Sequence, residues 1–444
     1  MSSQNSSISQ SESSLSNNPI IKSILDGQNV FISGTGGTGK SYLLQKIADF
    51  LETNHKFHPV ITSTTGVSAF NINGITIHSW IGATLPSSQP QNLEKWLKQV
   101  IDSKNVLNQR ESHQSTTLLI IDEISMLGAS FLDLIDFILR YNRKCEKTFG
   151  GLQVLASGDM LQLPPVNDAW PFESEVWKDL NFKTYILTTR HRFDDKNYAD
   201  LLDRVRTGEI SDDDIILLNS RFNTPYPPTV KPTQIFSLRV DVDNINSREC
   251  DKISGKYQTF KSDFYKYSLL SKDKIKVEQP KHVKFPIPSE LRLKPGAQVM
   301  VIKNLDVEGG IVNGSRAIYK RQQISAEGVM MVVELVNGKE IELRRETFEV
   351  EETDGTYICC QYPVILAFAT TTHKCQGSTL DCAVIDIGAS VFSAGQAYVA
   401  LSRVKSLKGL YLMQPVRKNR IYSHPKALAF QRQIEKEGQH LNEY

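Results

Sequence analysis

The sequence predicts an α/β fold class: two units built on parallel sheets with helices on both faces, the second interrupted by antiparallel strands. Three observations predict it. A glycine-rich loop, Gly34-Thr35-Gly36-Gly37-Thr38-Gly39-Lys40-Ser41, lies between an apolar run and a helix-like run. Short apolar runs alternate with helical patterns in two separate stretches of the chain, as βα units do. Between those stretches lie short alternating segments punctuated by Asn-Gly turns.

The chain has 444 residues, 40% of them hydrophobic, which at about 150 residues per domain allows about three compact units. Residues 1–18 are rich in Ser, Asn and Gln with no Lys or Arg. They read as a disordered tail and resemble neither a secretory signal nor a mitochondrial presequence. Val30-Phe31-Ile32 is the first strand of a unit expected over 19–224. Val60–Ser63, Leu118–Ile121, Val154–Ser157 and Tyr185–Thr188 follow, with a helix over Ser130–Tyr141 and a small insertion at 85–115. Pro225-Tyr226-Pro227-Pro228 suits a linker. A second parallel sheet is expected from Gln234–Ser237, Val364–Ala367, Ala383–Ile387 and Leu410–Met413, giving a domain of 225–255 and 362–444. Within it, residues 256–361 carry the runs Ala297–Ile302, Met330–Leu335 and Lys339–Leu343, and read as a small inserted β-barrel. No internal repeat is visible.

A formal net charge of +2 neither demands nor excludes a nucleic-acid partner, because a basic channel can lie on a near-neutral body. The 6 cysteines form no C-x-x-C pair and have no zinc-finger spacing, which points to reduced thiols in an intracellular protein. No apolar run approaches the roughly 20 residues needed to cross a bilayer, so no membrane partner is expected.

The glycine-rich loop fits G-x-x-x-x-G-K-[ST], in the strand–loop–helix context that gives the pattern its meaning. Glycines let backbone N–H groups converge on phosphate oxygens, and the helix start adds partial positive charge. Lys40 is expected to reach the outer phosphates and the Ser41 hydroxyl to bind Mg²⁺. Asp122-Glu123 ends the third strand. In a chain with such a loop, Asp122 suits Mg²⁺ and Glu123 suits orienting and deprotonating an attacking water. In Gly158-Asp159-Met160-Leu161-Gln162-Leu163-Pro164-Pro165, the prolines make a rigid loop holding Gln162, whose amide could contact a γ-phosphate. A plain strand-exit turn fits that spacing equally well.

The order of these segments resembles superfamily-one DNA helicases of the RecD-like branch, and more narrowly the petite integration frequency (Pif) helicases. The most specific match is Ser130-Phe131-Leu132-Asp133, then Asp136, Arg140 and Arg143, then Phe149-Gly150-Gly151-Leu152-Gln153. The resemblance runs from about Gly27 to Gln414. It implies two RecA-like domains, ATP and Mg²⁺ as cofactors, and an ATP-driven 5′-to-3′ helicase acting as a monomer. Its partners would be single-stranded and duplex or fork DNA, in a DNA-containing compartment of the cell. The segment Ile61–Ala69 is similar to a single-strand-binding motif, with Thr65 and Gly66 as contacts, and Gly74–Trp80 to its partner, with His78 as a contact. Small and hydroxylated residues there suit close approach to a sugar–phosphate backbone; Trp80 reads as core. Leu187–Arg192 and Gln396–Arg403 resemble the two arginine motifs, with Arg192 and Arg403 meeting the triphosphate. Thr370–Leu380 resembles the motif linking DNA grip to nucleotide state, with Thr371 and His373 as DNA contacts and Cys375 where the family often has Ser. The family's adenine-reading glutamine is not matched; Asn17 stands near that place and Gln10 further out.

Two other enzyme classes and one non-enzyme remain open on sequence. An RNA-directed helicase would share most of these motifs. A P-loop kinase would leave the second half and Arg403 without a role. A non-catalytic DNA scaffold would not need Lys40, Asp122, Glu123, Gln162 and Arg403 together.

Overall fold

The computed structural model describes residues 17–442 except 86–91, 194, 226–231, 237–241, 268–273, 282, 284, 304, 307–310, 312, 314, 326–327, 353–354, 373–374 and 389–390. The chain divides into one unit of Met1–Arg192 with His424–Tyr444, and a second of Phe193–Ser423.

In the first unit, Asn18 caps helix α1 (Pro19–Leu25) by accepting from the Ile20 N–H at 2.9 Å, and Pro19 opens the helix where its missing N–H costs nothing. Asn18, expected in the tail, is thus part of the fold; residues 1–16 lie outside the described residues. Strand β1 (Val30–Gly34) leads into α2 (Lys40–His55). Next come β2 (Pro59–Ser63), β3 (Ile75–Thr76), β4 (Leu118–Asp122), helix α3 (Ala129–Arg143), β5 (Gln153–Gly158) and β6 (Lys183–Leu187). The sheet has seven strands, all parallel, in the order Gln439–Leu441, β6, β1, β5, β4, β2, β3. Alternate residues of its strands enter two cores. Phe31, Leu119, Ile121 and Val154 pack with Leu132, Ile135 and Leu139 of α3. Val30, Ile32, Leu118, Ile120 and Leu155 pack with Ile20 and Ile24 of α1 and Leu43, Leu44 and Ile47 of α2. Burial on both faces explains why these strands read as continuous apolar runs.

Two domain boundaries differ from the sequence expectation. Residues 424–444, expected in the second domain, pack in the first unit. There the helix Pro425–Glu437 buries Ala427 and Ile434 in the first core and stacks Phe430 on Phe172 at 4.3 Å. The first unit also stops at Arg192 rather than at 224. Helices Lys196–Thr207 and Asp212–Asn219 pack with the second unit, where the Tyr198 hydroxyl donates to Leu401 O at 2.8 Å. Of the proline-rich linker only Pro225 is described; Tyr226, Pro227 and Pro228 lie outside the described residues.

The second unit holds a four-stranded parallel sheet in the order Ala369–Thr371, Thr233–Phe236, Ala383–Ile385, Leu410–Leu412. The run Val364–Leu366, expected in that sheet, instead pairs antiparallel with Gln298–Val301, and Ala369–Thr371 takes its place. Among the described residues, the insertion's strand pairs are all antiparallel. Its strands form a five-stranded sheet around Arg316–Ser325 and Gly328–Leu335, a four-stranded sheet around Asp263–Tyr267 and Gly355–Gln361, and a two-stranded ribbon. Among the described residues, no pairing closes these sheets into a single barrel.

Candidate functional site

β1 lies between β5 and β6, and β4 is next to β5, so the loops leaving all four strands open on one edge of the sheet. In open parallel sheets that carboxyl edge is where ligands bind. The loop Gly34–Ser41 leaves β1 here. Gly37 and Gly39 have φ of 87° and 80°, the left-handed region that a side chain would strain. A Cβ at Gly34 would lie 2.7 Å from Thr38 Oγ1, so this position has no room for one. The Thr38 hydroxyl donates to Thr35 O at 2.9 Å, tightening the curl. No side chain caps α2. Its first-turn N–H groups, which have no acceptor within the helix, therefore face the loop's concavity with the positive end of the helix dipole. Lys40 is buried, and its ammonium donates to Gly34 O at 2.6 Å and Thr35 O at 3.0 Å.

The Ser41 hydroxyl donates to Asp122 Oδ2 at 2.7 Å. The other carboxylate oxygen accepts from the Glu123 N–H at 2.9 Å and from the Ser157 hydroxyl at 2.5 Å. Neighbouring strands β4 and β5 thus fix a buried carboxylate against the start of α2. A hydroxyl and a carboxylate side by side are the oxygen donors a hard cation such as Mg²⁺ takes, so the residues fit that ion. Glu123 has φ 53°, a conformation costly for a side chain of its size. Gly158 packs closely against the residues after Glu123: a Cβ there would lie 3.3 Å from the Ile124 and Ser125 amide nitrogens. Gln162 is buried and donates to Asp159 Oδ2 at 3.3 Å, inside the proline-closed loop after β5.

Arg192 is brought to the same place. The chain leaving β6 donates the His191 N–H to Gly37 O at 2.9 Å, and a Cβ at Gly37 would meet Arg192 Cβ at 2.5 Å. Arg403 belongs to the second unit and is held within it. It is 1% exposed; Nε donates to Val399 O at 2.7 Å, Nη1 to Cys375 O and Ser378 O at 3.3 Å, and Nη2 to Ser402 Oγ at 2.7 Å. Here the guanidinium ties the helix Gln396–Leu401 to the turn at Cys375–Ser378, a role its sequence motif does not advertise.

Among the expected DNA contacts, Thr65 caps the helix Gly66–Asn71 by accepting from the Ser68 N–H at 3.2 Å. Gly66 is exposed, with open space where a Cβ would go. His78 is exposed on one side and stacked on Phe131 at 4.2 Å; desolvation lowers its pKa. Thr371 is buried at the end of its strand in the second unit, and His373 lies outside the described residues. Trp80 is core, as expected, with its indole N–H on Ser112 Oγ at 3.1 Å.

The stretch that singles out the resemblance most sharply is a clasp behind the site. Asp136 accepts from the Phe149 N–H at 2.6 Å and from Arg140 Nε at 2.7 Å. Arg143 donates to Gly150 O at 3.0 Å, His113 O at 2.6 Å and Thr116 O at 3.0 Å. Sequence reasoning missed His113. It is fully buried, with one ring nitrogen 2.9 Å from Trp80 O and the other 2.8 Å from the Asn142 amide. Burial pushes its pKa down to about 4, against the hydrogen bond to Trp80 O, which favours the proton, and with the Arg143 charge adding to the fall. A lone histidine in a helical run carries no signal of this kind.

All six cysteines are free thiols. Among the described residues, no group of three or more His, Cys, Asp and Glu could hold a metal, and no helix is long and apolar enough to cross a membrane.

Residues 11–215 match the PIF1-like helicase family, and residues 282–319 match the DNA helicase Pif1 2B domain. The ATP-dependent DNA helicase PIF1 of Xenopus laevis is 33% identical over 94% of this chain, and this chain spans 64% of that protein's length. The crystal structure of the Candida albicans Pif1 helicase superposes with a TM-score of 0.73 at 29% identity, covering 94% of this chain and 98% of that one. A structure describing DNA unwinding at forked duplex DNA by two coordinating Pif1 helicases superposes with a TM-score of 0.63 at 27% identity, covering 94% and 96%.

Proposed function

Because this chain belongs to the PIF1-like helicase family, we propose that it is an ATP-dependent DNA helicase, moving 5′-to-3′ along single-stranded DNA and separating duplex or forked DNA in genome maintenance. One observation carries the nucleotide half of this reading: Ser41 Oγ meets Asp122 Oδ2 at 2.7 Å beside an uncapped helix start. Ser41 and Asp122 would hold Mg²⁺, which when bound offsets charge on the phosphates. The loop Gly34–Ser41 would wrap the phosphate chain with backbone N–H groups. Lys40 would exchange the carbonyls of Gly34 and Thr35 for phosphate oxygens. Glu123 would take the proton of the attacking water, and Gln162 would orient groups near the γ-phosphate. Arg192 already lies on the loop; Arg403 would have to leave its carbonyl acceptors to add a second guanidinium to the developing charge.

Thr65, Gly66, His78, Thr371 and His373 are the proposed contacts to the DNA strand. Such a grip reads the backbone and is therefore sequence-tolerant and salt-sensitive. The working unit is a single chain in a DNA-containing compartment. A relative described as two coordinating helicases at a fork makes copy number part of the test.

The test is ATP turnover with and without a single-stranded oligonucleotide, followed by unwinding of duplexes with opposite tails at rising protein-to-fork ratios. Stimulation by the strand and unwinding from the 5′ tail are expected. Turnover indifferent to any polynucleotide would return the chain to the kinase reading, and displacement of RNA but not DNA duplexes would make it an RNA helicase.

A further inference from the structure

The arginine segment that touches the glycine-rich loop is held from its other side by residues some 250 positions later. The C-terminal helix Pro425–Glu437 is seated on the first unit by Phe430, stacked on Phe172 at 4.3 Å, and by the Lys426–Glu173 ion pair. It ends at Gly438, where a Cβ would lie 2.6 Å from Ile434 O, so the chain turns there without a side chain. Gln439–Leu441 then pairs parallel with β6, Gln439 beside Tyr185 and Leu441 beside Leu187. This strand forms the outer edge of the sheet, so β6 is an internal strand only because of it.

The contacts continue past β6. The Thr188 N–H donates to Leu441 O at 3.1 Å, and its hydroxyl lies 3.0 Å from Leu441 O and 2.7 Å from Asn442 Oδ1. The Thr189 hydroxyl donates to Asn442 O. Two residues further on, the His191 N–H is bonded to Gly37 O at 2.9 Å and Arg192 rests on Gly37. The segment Thr188–Arg192 is therefore pinned at one end by the C-terminal strand and at the other by the phosphate-binding loop.

We propose that Gly438–Asn442 is a strap that positions Arg192, with Thr188 and Asn442 as its positioning residues. The inference rests on the proposed nucleotide chemistry and goes beyond it. It assigns a part in the site to a stretch that carries no motif and that the sequence placed in the other domain. The physical basis is geometric. A guanidinium stabilises developing charge only if held in place, and small displacements of such groups cost up to about 10²-fold in rate. Binding is expected to be spared, because Ser41 and Asp122 are held by each other, Glu123 and Ser157, and the Lys40 ammonium by Gly34 O and Thr35 O.

The experiment compares Thr188→Val, a chain ending at Gly438, Arg192→Ala, and the double variant Thr188→Val/Arg192→Ala. ATP turnover is measured with saturating single-stranded DNA, and affinity with a fluorescent ADP analogue. Thr188→Val should lower kcat by roughly tenfold while KM and ADP affinity stay within about twofold. In the Arg192→Ala background Thr188→Val should add nothing, because an effect transmitted through Arg192 disappears with it. If the shortened chain fails to fold, Thr188→Val, which exchanges one hydroxyl for a methyl group of similar size, decides the matter. An unchanged kcat in Thr188→Val, or the same loss with Arg192 already gone, overturns the strap. Arg192→Ala turning over normally overturns the role of Arg192 and the strap with it. A strap that fails while Arg192→Ala is impaired leaves the nucleotide chemistry standing.

Discussion

The carboxyl edge of the first unit's sheet and the clasp behind it both gather unusual residues, and they use them in opposite ways. Both contain a large side chain on left-handed backbone, Glu123 at φ 53° and Phe149 at φ 54°. Both are centred on a buried aspartate with several donors, Asp122 and Asp136. In the clasp the bonds run inward: Asp136 takes the Phe149 amide, and Arg143 reaches backbone carbonyls of two other segments. At the edge they converge on a concave loop, with a lysine, a hydroxyl and a helix start facing the same side. A strained, polar-rich stretch therefore marks importance to the fold or to chemistry alike. What separates the two is where the donors and acceptors end up.

The largest expected effect sharpens that contrast from the chemical side. Glu123→Gln keeps the size of the side chain and removes its basicity. It should lower ATP turnover by roughly 10²–10⁴-fold, the usual worth of a general base, while ADP-analogue binding and the urea unfolding midpoint stay put. A variant that turns over normally removes Glu123 as the base. A variant that loses stability instead shows that the edge is scaffold after all, and the contrast with the clasp fails.

The next effect comes from the clasp and is read in stability. His113 has a pKa of about 4 in the folded chain, against an ordinary value of 6.5. Between those values the unfolded chain binds a proton that the folded chain refuses. The stability is thus complete above pH 6.5 and is lost as pH falls toward 4, by roughly 3 kcal/mol in total. Urea unfolding between pH 7 and pH 4.5 should show this slope, and His113→Gln, with no proton to accept, should flatten it. An identical slope in the variant assigns the acid sensitivity to other groups.

The edge was the more legible of the two regions. Its chemistry depends on short-range spacing: eight consecutive residues for the loop and two for the carboxylates, each at the end of a strand that begins as an apolar run. The clasp was visible as a signature, but its partner His113 was not, because nothing local distinguishes a histidine destined for a dry pocket. Long-range pairing was least legible. Val364–Leu366 and Ala369–Thr371 are two short apolar and β-branched runs a few residues apart, and only tertiary pairing gives the first to the antiparallel sheet and the second to the parallel one. Gln439–Leu441 has no strand pattern at all, and its attachment to β6 follows from the docking of the helix before it. Arg403 illustrates a further limit: a charged residue in a sequence suggests a charged partner, whereas backbone carbonyls and the Ser402 hydroxyl hold this one.

The smallest expected effect tests a third kind of residue, one that neither holds the fold nor performs chemistry. Gly66 opens the helix Gly66–Asn71, is exposed, and has nothing within 4 Å of where a Cβ would stand. Neither backbone strain nor packing requires glycine there. Gly66→Ala should leave the unfolding midpoint unchanged or raise stability by up to about 0.5–1 kcal/mol, the helix-propensity difference. If the open space is kept for a sugar–phosphate backbone, the same methyl should weaken single-stranded DNA binding several-fold, equally for all sequences. Turnover without DNA should not change. A variant with native affinity for DNA would mean that the strand does not approach this helix start. The grip of the first unit would then have to be sought at His78, an exposed residue whose ring is stacked on Phe131.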